Sequence, residues 1–191
     1  MNKTIDIFKT TVFSTEIKND LYINYFKNII KKEIKHNRNT YMSNVGGFQT
    51  QKFDMIDDKN ILNNIFIDPI INFLNTFKTK KKFNIKLSGY WINCNKNNHY
   101  NKMHNHIGNF SGIYYIEVPK DSGKLVFQNA DLLKSYDNNY PFIEDANTYS
   151  NYSFDVKKYE LYLFPSETLH FVEPNFSNKE RISVAFNLMF E

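Results

Sequence analysis

The residues of this chain best suited to chemistry are histidines, of which there are five in 191 residues. His36 lies among Lys35, Asn37 and Arg38 at the end of a helical stretch and reads as a surface residue. His104 and His106 stand two apart in Met103-His-Asn-His-Ile107, so on extended backbone both rings project to one side and can take neighbouring positions on one metal ion. His170, far along the chain after Phe164-Pro-Ser-Glu-Thr-Leu169, opens another strand-like segment. A third ligand from a distant strand is what completes a facial metal site. Taken alone, a His-x-His pair has a simpler explanation in two hydrogen-bonded surface histidines of an Asn-rich loop. His99 reads as a solvated loop residue, with a place beside the site or the substrate as its alternative.

A second constellation changes the balance. Arg181 is followed by Ser183 on the same face of a strand. A guanidinium fork with a hydroxyl beside it receives a carboxylate well, because the fork donates two parallel bonds and the hydroxyl adds a third. The plain alternative is a salt bridge from Arg181 to Glu180 or Asp155. The neighbours of Arg181 on its own side of the strand are Ser183, Ala185 and Asn187, which suits the wall of a polar pocket better than a core.

The elements that must hold these groups change character midway. From Glu16 to Lys35, Ile17, Leu21, Tyr25 and Ile29 recur every four residues, with Tyr22, Phe26 and Ile30 beside them and Ile23 off the stripe, which predicts a helix capped by Ser14 or Thr15. A second helical stretch runs from about Lys59 to Lys80, kinked or divided by Pro69. The paired glycines of Ser43-Asn-Val-Gly-Gly-Phe-Gln-Thr50 mark a turn between the two. From Phe83 the period becomes two: Leu87 to Cys94, Phe110 to Val118, Lys124 to Gln128, Ser153 to Val156, Glu160 to Phe164, Leu169 to Val172 and Arg181 to Phe190 read as strands. Ile182, Val184, Phe186 and Leu188 form the apolar face of the last one, and the helices are the obvious cover for it. The expectation is a mainly β chain, a jelly roll with a wet interior and N-terminal helices packed outside the sheet. It forms one domain, 1–191, with a mostly helical part at 1–82 and a β core at 83–191.

Composition narrows the classes. Hydrophobic residues at 41% and charged residues at 23% describe an ordinary globular chain, and 17% aromatics favour strands. The net charge of +4 rests on dispersed lysines, and the dense run of Lys78, Lys80, Lys81 and Lys82 is too short to argue for nucleic acid. It suits a small anionic co-substrate equally well. One cysteine, Cys94, excludes an internal disulfide and fits a reducing compartment. Met1 to Thr15 has no apolar run of the signal-peptide kind, and no segment approaches the ~18 apolar residues of a membrane span. A cytoplasmic protein is expected.

In order, His-x-His, Ser111-Gly-Ile-Tyr-Tyr-Ile-Glu-Val-Pro119, Leu161-Tyr-Leu-Phe-Pro-Ser166 with His170, and Arg181-Ile-Ser-Val-Ala-Phe-Asn187 resemble the 2-oxoglutarate and Fe(II)-dependent oxygenase family common in phages and marine bacteria, itself distantly similar to prolyl hydroxylases. Gly46-Gly-Phe-Gln-Thr50, Trp91-Ile-Asn93 and Tyr100-Asn101 resemble it too, so the likeness spans about Gly46 to Asn187. The resemblance implies a double-stranded β-helix of the cupin-like kind. It implies Fe(II) on His104, His106 and His170, with 2-oxoglutarate chelating the metal, O2 as oxidant, and Arg181 and Ser183 on the far carboxylate. By the same token Tyr115 contacts that carboxylate and Asn93 approaches the co-substrate. The prime substrate is then a small molecule or peptide, with no membrane, with room for a homodimer, and in the host cytoplasm if the gene is phage-encoded. His106 stands where most of the superfamily has a carboxylate, a place Asp131 or Glu167 could fill. Phe127 to Asp131 lacks the Phe-x-Asp-Pro-Arg-like turn of the family, and Tyr159 replaces a Gly, which suggests a differently shaped turn. Two other readings compete: a cupin-like three-His dioxygenase that needs no 2-oxoglutarate, and a non-catalytic jelly-roll module using Tyr-rich loops such as Tyr136 to Tyr152.

Overall fold

The computed structural model describes residues 10–77, 82–129 and 150–191. The basic run at Lys78 to Lys81, Asp131 and most of the loops after it, and Met1 to Lys9 lie outside the described residues.

Two antiparallel sheets carry the chain. The larger has the order β1-β9-β6-β11-β4-β3, the smaller β2-β5-β10-β7-β8. In chain order the strands are β1 (Phe13–Glu16), β2 (Asn44–Val45), β3 (Phe48–Gln49), β4 (Ile85–Asn95), β5 (Tyr100–His104), β6 (Phe110–Glu117), β7 (Leu125–Gln128), β8 (Asn151–Phe154), β9 (Glu160–Pro165), β10 (His170–Val172) and β11 (Arg181–Phe190). The helices are α1 (Asp20–Lys35), α2 (Lys59–Ile61) and α3 (Asp68–Leu74), the last two joined by a π-helical segment, Leu62–Ile67.

Alternation along the long strands explains the layering. Tyr90, Ile92 and Cys94 of β4, Ile182, Val184 and Phe186 of β11, and Tyr114 and Ile116 of β6 turn to one face and pack with Phe26, Ile30, Ile65, Phe66 and Ile70 of the helical layer. Phe66 sits edge-on to Phe186 with ring centroids 4.7 Å apart. Each such side chain, taken fully out of water, contributes about 1.5–3 kcal/mol. The other face of the large sheet meets the small one in a second cluster, where Ile113, Tyr115, Tyr162 and Phe164 pack against Leu125, Phe127 and Val172. The helices therefore lie outside and a separate interior lies between the sheets, the expected jelly roll.

Several local expectations are corrected. Helix α1 begins at Asp20, where the Asn19 side chain accepts from the N–H groups of Leu21 and Tyr22, and not near Ser14. Phe13–Glu16 is instead an edge strand paired with β9. The buried stripe of α1 is Tyr22, Ile23, Phe26 and Ile30, so Ile23 is inside and Leu21 is exposed. The second helical stretch is divided as Pro69 suggested, but by widening: Pro69 lies in the first turn of α3, and the N–H of Asp68 reaches back five residues to the Asn63 carbonyl. Strands β1, β2 and β3 add sheet to the part read as helical, and β5 was not foreseen as a strand. Tyr159 keeps the turn a glycine would make, at φ +74°, held by an N–H bond to the Tyr115 carbonyl and a hydroxyl bond to Asp20 at 2.6 Å.

Candidate metal centre and the polar pocket beside it

Antiparallel pairing of β5 with β10 sets His104 directly opposite His170. His106 is off the strand, in the loop after β5, so extended backbone is not what aligns it. Its backbone N–H donates to the Ser166 carbonyl at 2.8 Å. Beneath that loop the hydroxyls of Ser111 and Ser166 lie 2.8 Å apart, and Ser111 reaches the Asn187 carboxamide oxygen at 2.9 Å. The three imidazoles converge with ring centroids 4.8, 4.4 and 5.0 Å apart, and their ligand atoms lie within 4.8 Å of one another. Among the described residues the cluster holds no carboxylate. Glu167 is exposed and outside it, and Asp131 is not among the described residues. His99 also stands apart, accepting from the Lys96 N–H, while the exposed His36 faces the Lys32 carbonyl.

Burial and backbone bonds prepare these rings as ligands. Nδ1 of His104 lies 2.7 Å from the Lys102 carbonyl, and Nδ1 of His170 lies 2.9 Å from that of Thr168. A carbonyl at Nδ1 holds the proton there and leaves the Nε2 lone pair free. Removal from water, reinforced by the neighbouring imidazoles, pushes His106 down to about 3 and His170 down to about 4, and burial lowers His104 as well. All three are neutral near pH 7. The floor of the site is aromatic, with Phe164 and Phe127 at 4.7 and 5.9 Å from the His170 ring and Trp91 at 5.4 Å from His106.

Next to the cluster the interior turns polar. Strand pairing aligns Gln49 with Asn93, Asn93 with Ser183, and Ser183 with Tyr115, one row across β3, β4, β11 and β6. Arg181, opposite Asn95, is 3% exposed. Its Nη1 donates to the Ser122 and Glu173 carbonyls. Among the described residues it forms no salt bridge: Glu180 and Asp155 pair with Lys96 and Lys124 instead. Burial lowers the Arg181 pKa from a value high enough that the guanidinium stays charged. Burial also raises that of Tyr115, whose hydroxyl stays protonated. Among the described residues, five buried side-chain atoms have no partner: Oε1 of Gln49, Oδ1 of Asn93, the Tyr115 hydroxyl, Nε2 of His170 and Nη2 of Arg181. Such atoms are costly and call for an explanation. Four belong to residues singled out above. Gln49 was not among them, because it stands in a two-residue strand after Gly46-Gly47 that carries no periodicity of its own.

The geometry is matched by similarity to known proteins. The family model described as "Putative 2OG-Fe(II) oxygenase" matches residues 89–187. A prolyl-4-hydroxylase from Pseudomonas putida has the same fold, with a TM-score of 0.63 and 14% identity over 94% of this chain and 91% of that one. A viral collagen prolyl hydroxylase from Paramecium Bursaria Chlorella virus-1, solved with 2OG, gives 0.56 and 17% over 93% and 94%. HygX from Streptomyces hygroscopicus, solved with nickel and 2-oxoglutarate, gives 0.59 and 8% over 94% and 83%. No curated protein matches the sequence.

Proposed function

The chain belongs to the 2OG-Fe(II) oxygenase family, and on that premise we propose that His104, His106 and His170 hold its Fe(II) while Arg181, Ser183 and Tyr115 bind the distal carboxylate of 2-oxoglutarate. The observation that carries this is the set of buried, unpartnered atoms. Nε2 of His170 is a lone pair without a hydrogen-bond donor, while Nη2 of Arg181 and the Tyr115 hydroxyl are donors without an acceptor. A divalent cation and a dicarboxylate satisfy all three, so the residues fit the groups. Together Fe(II) and 2-oxoglutarate supply the oxidising chemistry: O2 and 2-oxoglutarate become succinate and CO2 as one oxygen atom is passed to a substrate C–H bond.

The protein's own contribution is placement and exclusion of water. The Lys102 and Thr168 carbonyls fix the tautomers of His104 and His170. Ser166 anchors the loop of His106, and the cluster around Tyr115, Phe127 and Phe164 keeps the interior dry. Asn93, between Gln49 and Ser183 in the row, faces the co-substrate. We read the reaction as hydroxylation in a single domain spanning 1–191, in the cytoplasm, or the host's if the gene is phage-encoded. The pairing of β1 with β9 and of β3 with β4 supports one domain, and the unpaired Cys94 supports a reducing compartment.

The test is calorimetric. With Mn2+ in place of iron, wild-type protein is expected to bind 2-oxoglutarate and Arg181→Ala to bind it at least 10-fold more weakly, a charge-assisted fork being worth upward of about 1.5 kcal/mol. Equal affinities would overturn the assignment of Arg181, and no binding of 2-oxoglutarate to wild type would favour a three-His dioxygenase that works without it.

A further inference from the structure

The cation and the dicarboxylate leave two acceptors of the unpartnered set unexplained, Oδ1 of Asn93 and Oε1 of Gln49, and Gln49 is the one farther from the carboxylate receptor. It is buried, and among the described residues its carboxamide oxygen accepts no hydrogen bond. Its backbone is fixed on both sides: β3 pairs with β4, the Gln49 N–H donates to the Asn39 side chain, and its carbonyl accepts from Thr40. The residue is thus held in place, and no partner among the described residues rewards its burial.

Its position says what it could meet. In the row across the large sheet Gln49 is two strands from Ser183, about 10 Å at ordinary strand spacing, with Asn93 between them. The carboxylate receptor of Arg181, Ser183 and Tyr115 lies on the far side of Asn93. Gly46-Gly47 brings the chain from β2 of the small sheet to β3 of the large one, so Gln49 stands where the two sheets are bridged, on the β4 and β5 side. From there Asn93 and then Trp91 lead along the same face of β4 to His106. The outer edge of this approach is apolar and exposed, with Met103 before His104 and Ile107 after His106.

We propose that Gln49 binds the prime substrate, accepting and donating hydrogen bonds to a neutral edge such as an amide, with an apolar group of the substrate beside Trp91. A primary carboxamide offers one acceptor and two donors in a plane, which another amide complements and a carboxylate or ammonium does not. This rests on the reading of the metal and co-substrate site above.

The test uses protein loaded with Zn2+ and 2-oxoglutarate, which is redox-silent and diamagnetic, and saturation-transfer NMR. The probes are N-acetyl amino-acid N-methylamides with apolar side chains, and the matching methyl esters are the controls. Wild type is expected to give transfer to the amides, reduced at least fivefold in Gln49→Leu and in Gln49→Asn and weak throughout for the esters. All three proteins are expected to bind 2-oxoglutarate within twofold of one another, which also reports that they are folded. No transfer to the amides in wild type, or equal transfer in the variants, overturns the proposal. So does a 10-fold loss of 2-oxoglutarate affinity in Gln49→Leu, which would assign Gln49 to the co-substrate. Failure of wild type to bind 2-oxoglutarate at all would instead strike the underlying site.

Discussion

At the scale of single residues, the site differs from a two-histidine, one-carboxylate centre by one negative charge. Three neutral imidazoles would leave a divalent ion held there uncompensated until the dianionic co-substrate arrives. Metal alone is therefore expected to bind weakly, and saturating 2-oxoglutarate to raise the apparent Mn2+ affinity at least 10-fold in calorimetric titrations. The same burial sets a pH dependence. The folded pKa values of His104, His106 and His170 lie below the unfolded value near 6.5, so below that pH the unfolded chain binds more protons. Stability from these groups is fully present above about 6.5 and is lost as pH falls through 4 toward 3. The slope approaches about 1.4 kcal/mol per pH unit for His106 and for His170. Urea denaturation of metal-free protein between pH 7 and 4 checks this, and His170→Gln should flatten the curve.

At the scale of elements, the β9 turn is informative. Tyr159 occupies left-handed backbone that costs a non-glycine residue about 1–3 kcal/mol. Its ring gives back a hydroxyl bond to Asp20 and a stacking surface for the Lys158 ammonium. The two should nearly cancel, so Tyr159→Gly is expected to change unfolding stability by less than about 1 kcal/mol, far from the 3–5 of a buried aromatic truncation. Gly112 behaves oppositely. A Cβ there would lie 2.2 Å from the Phe186 ring, so Gly112→Ala should cost about 1–3 kcal/mol or more in the same denaturation experiment. These elements also show what could be read from residues alone. The period-two pattern of β4, β6 and β11 was legible because each strand is long and turns one face to the helix-side core and the other to the interior between the sheets. The polar face of β11 already marked the pocket. The two-residue strands β2 and β3 carry no period at all and exist through their pairing with β5 and β4, which is why Gln49 escaped notice. The phase of α1 was set by the sheet it covers, which takes Ile23 and leaves Leu21 outside. His106 was aligned by Ser166, a contact no local spacing encodes.

At the scale of the whole molecule, one sheet separates two cores with different duties. The helix-side core supplies most of the buried aromatic area, and the core between the sheets borders the site. Phe66→Ala should therefore cost about 3–5 kcal/mol of unfolding free energy, while the protein that remains folded binds 2-oxoglutarate as wild type does. A cavity of about 750 Å3 between α1 and the ends of the sheet, with Lys27, Cys94 and Glu117 in its wall, also belongs to the helix side. Among the described residues no helix is long and apolar enough to cross a membrane. Cys94 gives this partition a practical consequence. Its thiol is buried behind the sheet, on the side away from the three histidines, and burial pushes it up to about 12, so it stays protonated and unreactive. A group silent while buried and reactive only on local unfolding is a gauge of that unfolding: its alkylation rate reports how often the helical layer opens, independently of turnover.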